Sequence, residues 1–429
     1  MSGLIRNRKL ARPFGVMMLV WALVAALVFI AAQNANTSDA APASAKPAKP
    51  LKRSILAVSN NWDGTVDIID GRTWRRLKRI NVVPDRAERV AAIMADPIDA
   101  AFFLAIRQQI GEGHDQFADD AFTSPDGRFI YVSRPSFADV VSISLRTGKI
   151  IWRVPVGGQR ADHMALSRNG RKLLVSASTA NVVHVINTEK GKIVASFPSG
   201  DSPHENNFSE DQRRVFHASI GRVYTPDDGP PEGPIKGERV FEIVNARTWK
   251  VIKRLDMGEE LEKAGYPDMS SAVRPMTLSP NERWLYFQVS FFHGFVEYDL
   301  KNFRVRRLFN LPRTHSQGLS RQEYLLDSAH HGIAMNPRGT RICVAGTMDD
   351  YAAVVTRRNK ATKILQFAEG AKPYWVTPSA NGRYCYISLS GLDRVAVIDY
   401  RKRKVVKNFR VGDHPQRMRT GWIRQSFLR

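Results

Sequence analysis

Ser124-Pro-Asp-Gly-Arg-Phe-Ile-Tyr-Val-Ser133, followed closely by Val140-Val-Ser-Ile-Ser-Leu145 and Thr147-Gly-Lys149, decides the fold. A turn signal leads into a run of alternating apolar and polar residues, a second such run follows, and Gly-Lys opens a third. Each run is too short for a helix and has the period of a half-buried strand. The unit recurs. Segments like Val140–Leu145 begin at residues 65, 182, 239, 295, 352 and 394, and each is preceded by a strand-like run, at 54, 129, 172, 213, 284, 341 and 384. A further strand follows each, near Trp74, Lys149, Lys192, Lys250, Arg304, Lys360 and Lys404. The tightest spacing, from 140 to 182 and from 352 to 394, is the size of one four-stranded propeller blade.

Six inner strands are expected ahead of the turns, at about 119, 162, 204, 274, 331 and 374, and the first blade lacks one. Asp413-His-Pro-Gln-Arg-Met-Arg-Thr420 supplies the missing copy and is expected to pair with the strand at 54, which removes the open sheet edge. The fold class is all-β: a seven-bladed β-propeller over residues 54–421, with the C-terminal strand closing the first blade and 422–429 left as a tail. With 429 residues, 43% of them hydrophobic, the chain could fill two or three domains, and the repeat reduces that to one monomeric propeller.

The unit of Ser-Pro-Asp-Gly, Ile130-Tyr-Val-Ser133, Thr147-Gly-Lys149 and Val154-Pro-Val-Gly157 resembles the YVTN-type propeller repeat of surface-layer and periplasmic proteins. The resemblance covers 54 to about 421. It implies a fold and an extracytoplasmic setting rather than one activity, since related propellers include scaffolds, DNA-binding periplasmic proteins, lactonases and the haem-d domain of nitrite reductases.

The N-terminus agrees with that setting. Arg6, Arg8, Lys9 and Arg12 (within 1–13) precede an uninterrupted apolar run from Phe14 to Ala32. The basic flank should stay cytoplasmic and send the rest of the chain outward. Nineteen helical residues reach about 28 Å, close to the roughly 30 Å hydrocarbon core. Residues 14–32 are therefore expected to form a signal anchor and single-pass transmembrane helix, with a disordered tether at 33–52 and the propeller in the periplasm or at the cell surface; cleavage after 32 would release a secreted form.

Departures from the 42-residue period mark insertions at 83–118, 224–238, 256–273 and 311–329. Residues 86–110 have a helical composition. By propeller topology all four decorate one face, where long loops commonly carry binding.

Aligning the inner strands brings Asp119, Asp162, His204, Arg274, His331, Tyr374 and Gln416 to one position at the channel mouth, with Asp120, His163, Glu205, Trp375 and Arg417 next and Lys372, His330 and His414 just before. Three readings stand. Asp162, His204, His331 and Asp119 suit a divalent metal, as imidazole and carboxylate ligate zinc, iron or manganese. Arg274, His163, Glu205, Lys372, Tyr374, Trp375 and Arg417 suit a small polar or anionic ligand, with the two aromatics as stacking surfaces. A water-filled mouth would be polar in any case. The leading expectation is a tethered module that binds a ligand or a partner protein; a metal-dependent hydrolase, lactonase-like enzyme or oxidoreductase is the alternative. No nucleophile elbow, zincin motif, phosphate loop or dinucleotide fingerprint occurs.

Lys and Arg number 64 against 41 Asp and Glu, for a net charge of +23. The cations fall on outermost strands, where charge guards a sheet edge, without the interleaved aromatics of single-strand binders, so nucleic acid is the third reading. Cys343 and Cys385 are the only cysteines and no Cys-x-x-Cys-His occurs, which argues against c-type haem. They sit on second strands of neighbouring blades with side chains toward opposite sheet faces, so a disulfide across blades six and seven is one expectation and two buried thiols the other.

Overall fold

Alternation along the strand Lys52–Asn60 sends Ile55 and Ala57 to one side of its sheet and Leu56 and Val58 to the other. Both sides are buried, each against a different neighbour. Ile55 and Ala57 pack on Ala121, Ile130 and Val132 of the following sheet, while Leu56 and Val58 pack on Trp375, Tyr386 and Val395 of the preceding one. Repeated around the axis, this two-sided burial stacks seven four-stranded antiparallel sheets into a closed ring. Outermost strands have one neighbour fewer and stay half exposed, as in Arg304–Asn310. Truncating a side chain such as Leu56 to alanine would cost about 2–5 kcal/mol, because two blades lose contact at once.

The computed structural model describes residues 51–223 and 233–428. The basic segment 1–13, the apolar run 14–32, most of the tether and part of the 224–238 insertion lie outside the described residues. Among those described, no helix is long and apolar enough to cross a membrane. Every sheet and apolar cluster lies within the compact unit Leu51–Arg429, which is a self-contained folding unit.

The ring closes with the C-terminal strand Pro415–Arg424 against Lys52–Asn60, in a register that sets Leu56 opposite Thr420 and Lys52 opposite Arg424. The strand takes in residues 422–424, which the repeat count left to a tail. Cys343 and Cys385 are joined by a disulfide between blades six and seven, with Cα atoms 6.6 Å apart, inside a cluster with Val354, Ile387 and Ile398.

Antiparallel blades give the molecule two faces. One, the turn face, carries the short connections from first to second and third to fourth strands. There Ser124 Oγ accepts from the amides of Arg128 and Phe129 and donates to Asp126, and Gly127 takes φ +68°, where an added Cβ would meet the backbone of Ile423 and Arg424. The other, the loop face, holds the insertions. Residues 83–118 form helices α1 (Arg86–Met94) and α2 (Pro97–Gln109), the latter started by the Asp96 carboxylate on the amides of Ile98 and Asp99; α3 (Met257–Lys263) is capped likewise by Asp256. Lys236 lies 3.5 Å from Asp327, Lys372 pairs with Glu112, and Arg274 donates to the Leu326 carbonyl, so the insertions meet over the axis.

Candidate functional site

Inner strands begin with an irregularity that builds the site. The ladder with the second strand breaks between Ala161 and Met164, Pro203 and Glu205, Val273 and Met276, and Pro373 and Val376. At such a bulge consecutive residues lose strict alternation, and two neighbours can point to one side. Asp162 with His163, His204 with Glu205, and Tyr374 with Trp375 thereby reach a common region near the axis.

Three histidines converge there. The rings of His163 and His204 stand 3.7 Å apart, and that of His331 lies 6.0 Å from His204 and 6.4 Å from His163, stacked on Tyr374 at 3.9 Å. Trp375 meets His163 edge-on at 5.7 Å. His163 Nδ1 is 2.7 Å from Glu205 Oε2, whose other oxygen accepts from Asn207 at 3.1 Å, and His163 Nε2 is 3.7 Å from Asp162 Oδ1. Four arginines surround the group, and each is engaged. Arg417 pairs with Asp119, Arg160 with Asp162, Arg419 with Asp120 through two bonds of 2.9 and 2.7 Å, and Arg274 with Ser290 and Leu326.

The histidines and carboxylates of this group are buried, with Arg160 and Arg419 half-buried at its edge, which corrects the expectation of an exposed, water-filled mouth: His163 is 0% exposed, Asp162 2%, His331 2% and His204 5%. Burial pushes the pKa of all three histidines well below 6.5, helped by the charge of Arg417, so they are neutral at pH 7. Burial also lifts Glu205 to about 7 against the pull of Arg419 and Arg417, and lifts Asp119 to about 7 against Arg417.

Asp162 Oδ1, His163 Nε2, His204 Nδ1 and His331 Nδ1 are buried without a hydrogen-bond partner. Unpaired buried polar atoms cost about 1–3 kcal/mol each, so four in one place call for a physical reason. Ligand atoms of Asp162, His163 and His204 lie within 4.8 Å of one another. Metal–ligand bonds of about 2.1 Å hold two ligand atoms no more than about 4.2 Å apart, so a small inward rotation suffices. Neutral imidazoles are the ligating form. With Glu205 ionised, His163 donates from Nδ1 to that carboxylate and presents the Nε2 lone pair, the carboxylate–histidine arrangement that orients metal ligands.

The remaining expected residues divide. Asp119 and Arg417 border the cluster as an ion pair rather than as free ligands. Lys372 turns away to Glu112, and the arginines already have acceptors, so the polar-ligand reading loses the free cations it relied on. His330 and His414 also leave the ring: His330 bonds the Tyr351 hydroxyl at 2.7 Å, and His414 stacks on Trp62, which is held between it and His114 at 3.7 and 3.8 Å. Arg160 and Arg419 were not anticipated; Arg419 is recoverable from period two, being two residues beyond Arg417.

A strap from the 311–329 insertion reaches the edge of the cluster on the loop face, where Arg274 donates to the Leu326 carbonyl. Leu326 and Asp327 both adopt left-handed backbone, at φ 45° and 61°, a conformation that costs of order 1 kcal/mol or more for such residues and persists only where contacts hold it. The holds are the Arg274 bond to Leu326, the Phe291 amide to the Asp327 carbonyl at 2.9 Å, and His293, which contacts Tyr324 Oη at 2.7 Å and Asp349 at 2.9 Å. Beside the strap a cleft of about 470 Å³ is lined by Gln108, Glu112, Val223, Glu323, Leu326 and Lys372.

No protein-family model matches this chain, and no curated protein matches it. Among solved structures it is similar to hydrazine synthase of Kuenenia stuttgartiensis, at 15% identity and a TM-score of 0.55, over 83% of this chain and 92% of that one. It is also similar to virginiamycin B lyase from Staphylococcus aureus and to a streptogramin B lyase, each at 12% identity and a TM-score of 0.50, over 68% of this chain and 83% of theirs. At these identities the likeness is one of fold, and it agrees with the seven sheets counted above: the chain is a seven-bladed β-propeller.

Proposed function

We propose that this chain is a metal-dependent enzyme of YVTN-type propeller architecture, working outside the cytoplasm on a small polar substrate admitted when the strap lifts. The observation that carries the reading is the set of four buried, unpartnered atoms on Asp162, His163, His204 and His331. The first three residues would hold a divalent transition-metal ion, with His331 beside them. Such an ion supplies Lewis acidity toward a substrate oxygen or water. Glu205 and Asp119, with pKa values of about 7, can each take up or give a proton at neutral pH. Arg417 and Arg419 keep the region near charge balance, and Trp375 screens it from water. The extracytoplasmic setting is supported by the 14–32 run and by the Cys343–Cys385 bridge, since disulfides persist in oxidising compartments.

A second reading, a module that binds a partner protein through the loop face, is favoured by α2, which exposes Ile98 (64%), Phe102 (40%) and Leu104 (46%). Elemental analysis of untagged protein separates the two. One transition-metal ion per chain, lost in His204→Ala and Asp162→Ala, supports the enzyme; absence of metal from the wild type, or retention in both variants, rejects it and leaves the partner-binding reading.

A further inference from the structure

The net charge of +23 is not spread evenly. On the loop face cations meet carboxylates: Lys372 with Glu112, Arg86 and Arg107 with Asp115, Lys263 with Glu259 and Glu260. On the turn face each of the seven turns between third and fourth strands, counted through the first residue of the fourth strand, carries at least two Lys or Arg, and Glu189 is the only acid within those turns. Blades six and seven are the densest, with Arg357, Arg358 and Lys360 in one turn and Arg401-Lys-Arg-Lys404 in the next. Arg358, Arg401, Lys402 and Lys404 form no ion pair among the described residues and are exposed. Other carboxylates of this face are taken up elsewhere: Asp126, Glu189, Glu210 and Glu282 pair with Arg128, Arg171, Arg168 and Arg214 at the first-to-second-strand turns, while Asp70, Asp299 and Asp399 are buried, cap the turn amides, and pair with Arg53, Arg283 and Arg383.

The chain enters the propeller on this same face. Lys52–Asn60 runs from the turn face to the loop face, and Lys52 Nζ donates to the Pro125 carbonyl of the Ser124–Gly127 turn at 2.8 Å. At the entry point Leu51 is 75% exposed, Trp422 is 41% exposed, and Lys52 Nζ lies 5.3 Å from the Trp422 ring centre. An exposed indole beside lysine and leucine is the combination found where proteins meet the bilayer–water boundary. Phe303, 38% exposed in the fifth turn with Lys253 Nζ 4.8 Å from its ring centre, adds a second amphipathic point.

We infer that the turn face docks flat on a lipid surface bearing anionic phospholipid headgroups. Cations distributed over seven turns form a plane of charge, which matches a bilayer. A nucleic-acid strand would call for a continuous groove with stacked aromatics. The length of chain fits this occupant: only the eighteen residues 33–50 separate the apolar run 14–32 from Leu51 at the entry point on this face. Contact is required, because at physiological ionic strength attraction fades within about 8 Å. Docking in this sense turns the strap, the cleft and the axial cluster away from the bilayer, open to dissolved substrate. The inference does not depend on the metal reading.

The test uses the self-contained unit from residue 51, so that the N-terminal run cannot contribute, sedimented with vesicles of phosphatidylglycerol mixed with phosphatidylcholine or of phosphatidylcholine alone. The expected result is binding to the anionic vesicles only, weakened by salt. Replacing Lys402→Gln with Lys404→Gln weakens it by about 25-fold, at about fivefold per charge. Removing the same charge from the loop face, Lys263→Gln with Arg313→Gln, leaves it unchanged. Equal binding to neutral vesicles, no binding, or equal loss from both pairs would overturn the inference. Capture of single-stranded oligonucleotide without capture of vesicles would overturn it also, and would assign the face to nucleic acid.

Discussion

The two faces of this propeller are built from the same repeat and differ in almost every physical respect. On the turn face the seven third-to-fourth-strand turns repeat with little variation, their cations mostly without ion-pair partners among the described residues. On the loop face the connections range from short 3-10 turns, as at Pro135–Phe137, to the long 83–118 insertion, many cations are paired, and a strap meets Arg274 beside histidines and carboxylates held away from water. The difference shows how a repeat divides labour. Positions that stay regular fix the ring, and insertions are free to bury polar groups that a minimal blade could not enclose.

The largest expected effect lies on the loop face and should leave the other untouched. Replacing Asp162 and His204 together by alanine removes two of the proposed ligands, and metal affinity measured by chelator competition should fall by about 1000-fold or more if they hold the ion. Glu205→Gln, which alters only the group orienting His163, costs about 10- to 100-fold. Lys402→Gln with Lys404→Gln changes neither. If the turn-face pair weakened metal binding as much as the ligand pair, the division between faces would be wrong.

Next comes the bridge between blades six and seven, which also carry the densest turns of like charge. Cys343 and Cys385 are 42 residues apart, and closing a loop of that size contributes about 3–4 kcal/mol by restricting the unfolded chain. The double alanine variant should lose about that much in urea unfolding. The loss should be larger at low ionic strength, where turns 357–360 and 401–404 repel each other with less screening. A salt-independent loss would mean that the bridge opposes no such repulsion.

Much of this was legible in the sequence. Second and third strands alternate cleanly because both sheet sides are buried, and a seven-fold repeat makes each copy a check on the others. The Ser-anchored alignment found Asp162, His163, His204, Glu205 and His331 because inner strands begin at equivalent heights. Three physical facts stayed hidden. Bulges at Ala161/Met164 and Pro203/Glu205 turn adjacent residues toward the same region, which strict alternation denies. The strap is seated by Arg274 reaching Leu326, a contact between residues far apart in sequence. His330 and His414 lie outside the bulges and are drawn to Tyr351 and Trp62 by neighbours that no repeat alignment could name.

The titration of the axial cluster gives a third, smaller effect. His163, His204 and His331 stay neutral when folded, whereas in the unfolded chain they take protons near pH 6.5, so the unfolded state binds more protons below that value and stability rises with pH toward 6.5. Glu205 and Asp119 act in the opposite sense. Folded, they keep protons up to about pH 7, which the unfolded chain releases near their ordinary carboxylate values, so their stabilisation is lost as pH rises to about 7. Below pH 6.5 the histidines outnumber the carboxyls, and above it only the carboxyls act. The cluster's contribution to stability, followed by melting temperature, should therefore peak near pH 6.5, fall toward acid, and fall slightly toward alkali before levelling off by about pH 8. Glu205→Gln should remove part of the alkaline fall, by somewhat under about 1 kcal/mol at pH 8 relative to pH 6.5, since a group titrating near 7 releases most of its proton by about pH 8. An unchanged alkaline limb in that variant would mean that Glu205 is ionised throughout.

The smallest expected effect is on the turn face, and it sharpens the comparison most. Lys402 and Lys404 are exposed, lack ion-pair partners and sit in a regular turn capped by the buried Asp399 carboxylate, whose bonds to the amides of Arg401 and Lys402 do not involve their side chains. Replacing both by glutamine should change unfolding free energy by no more than about 0.5 kcal/mol, the range of surface positions without special features. The sign should be slightly stabilising at low salt, since the pair adds to repulsion among Arg401, Arg403 and the neighbouring Arg357 and Arg358. Denaturant unfolding at two ionic strengths measures both quantities. A loss well beyond 0.5 kcal/mol would show that these cations serve the frame. A gain at low salt that disappears at high salt would show that the frame tolerates a strained array of like charge, which is the physical condition for a surface kept for an anionic partner rather than for folding.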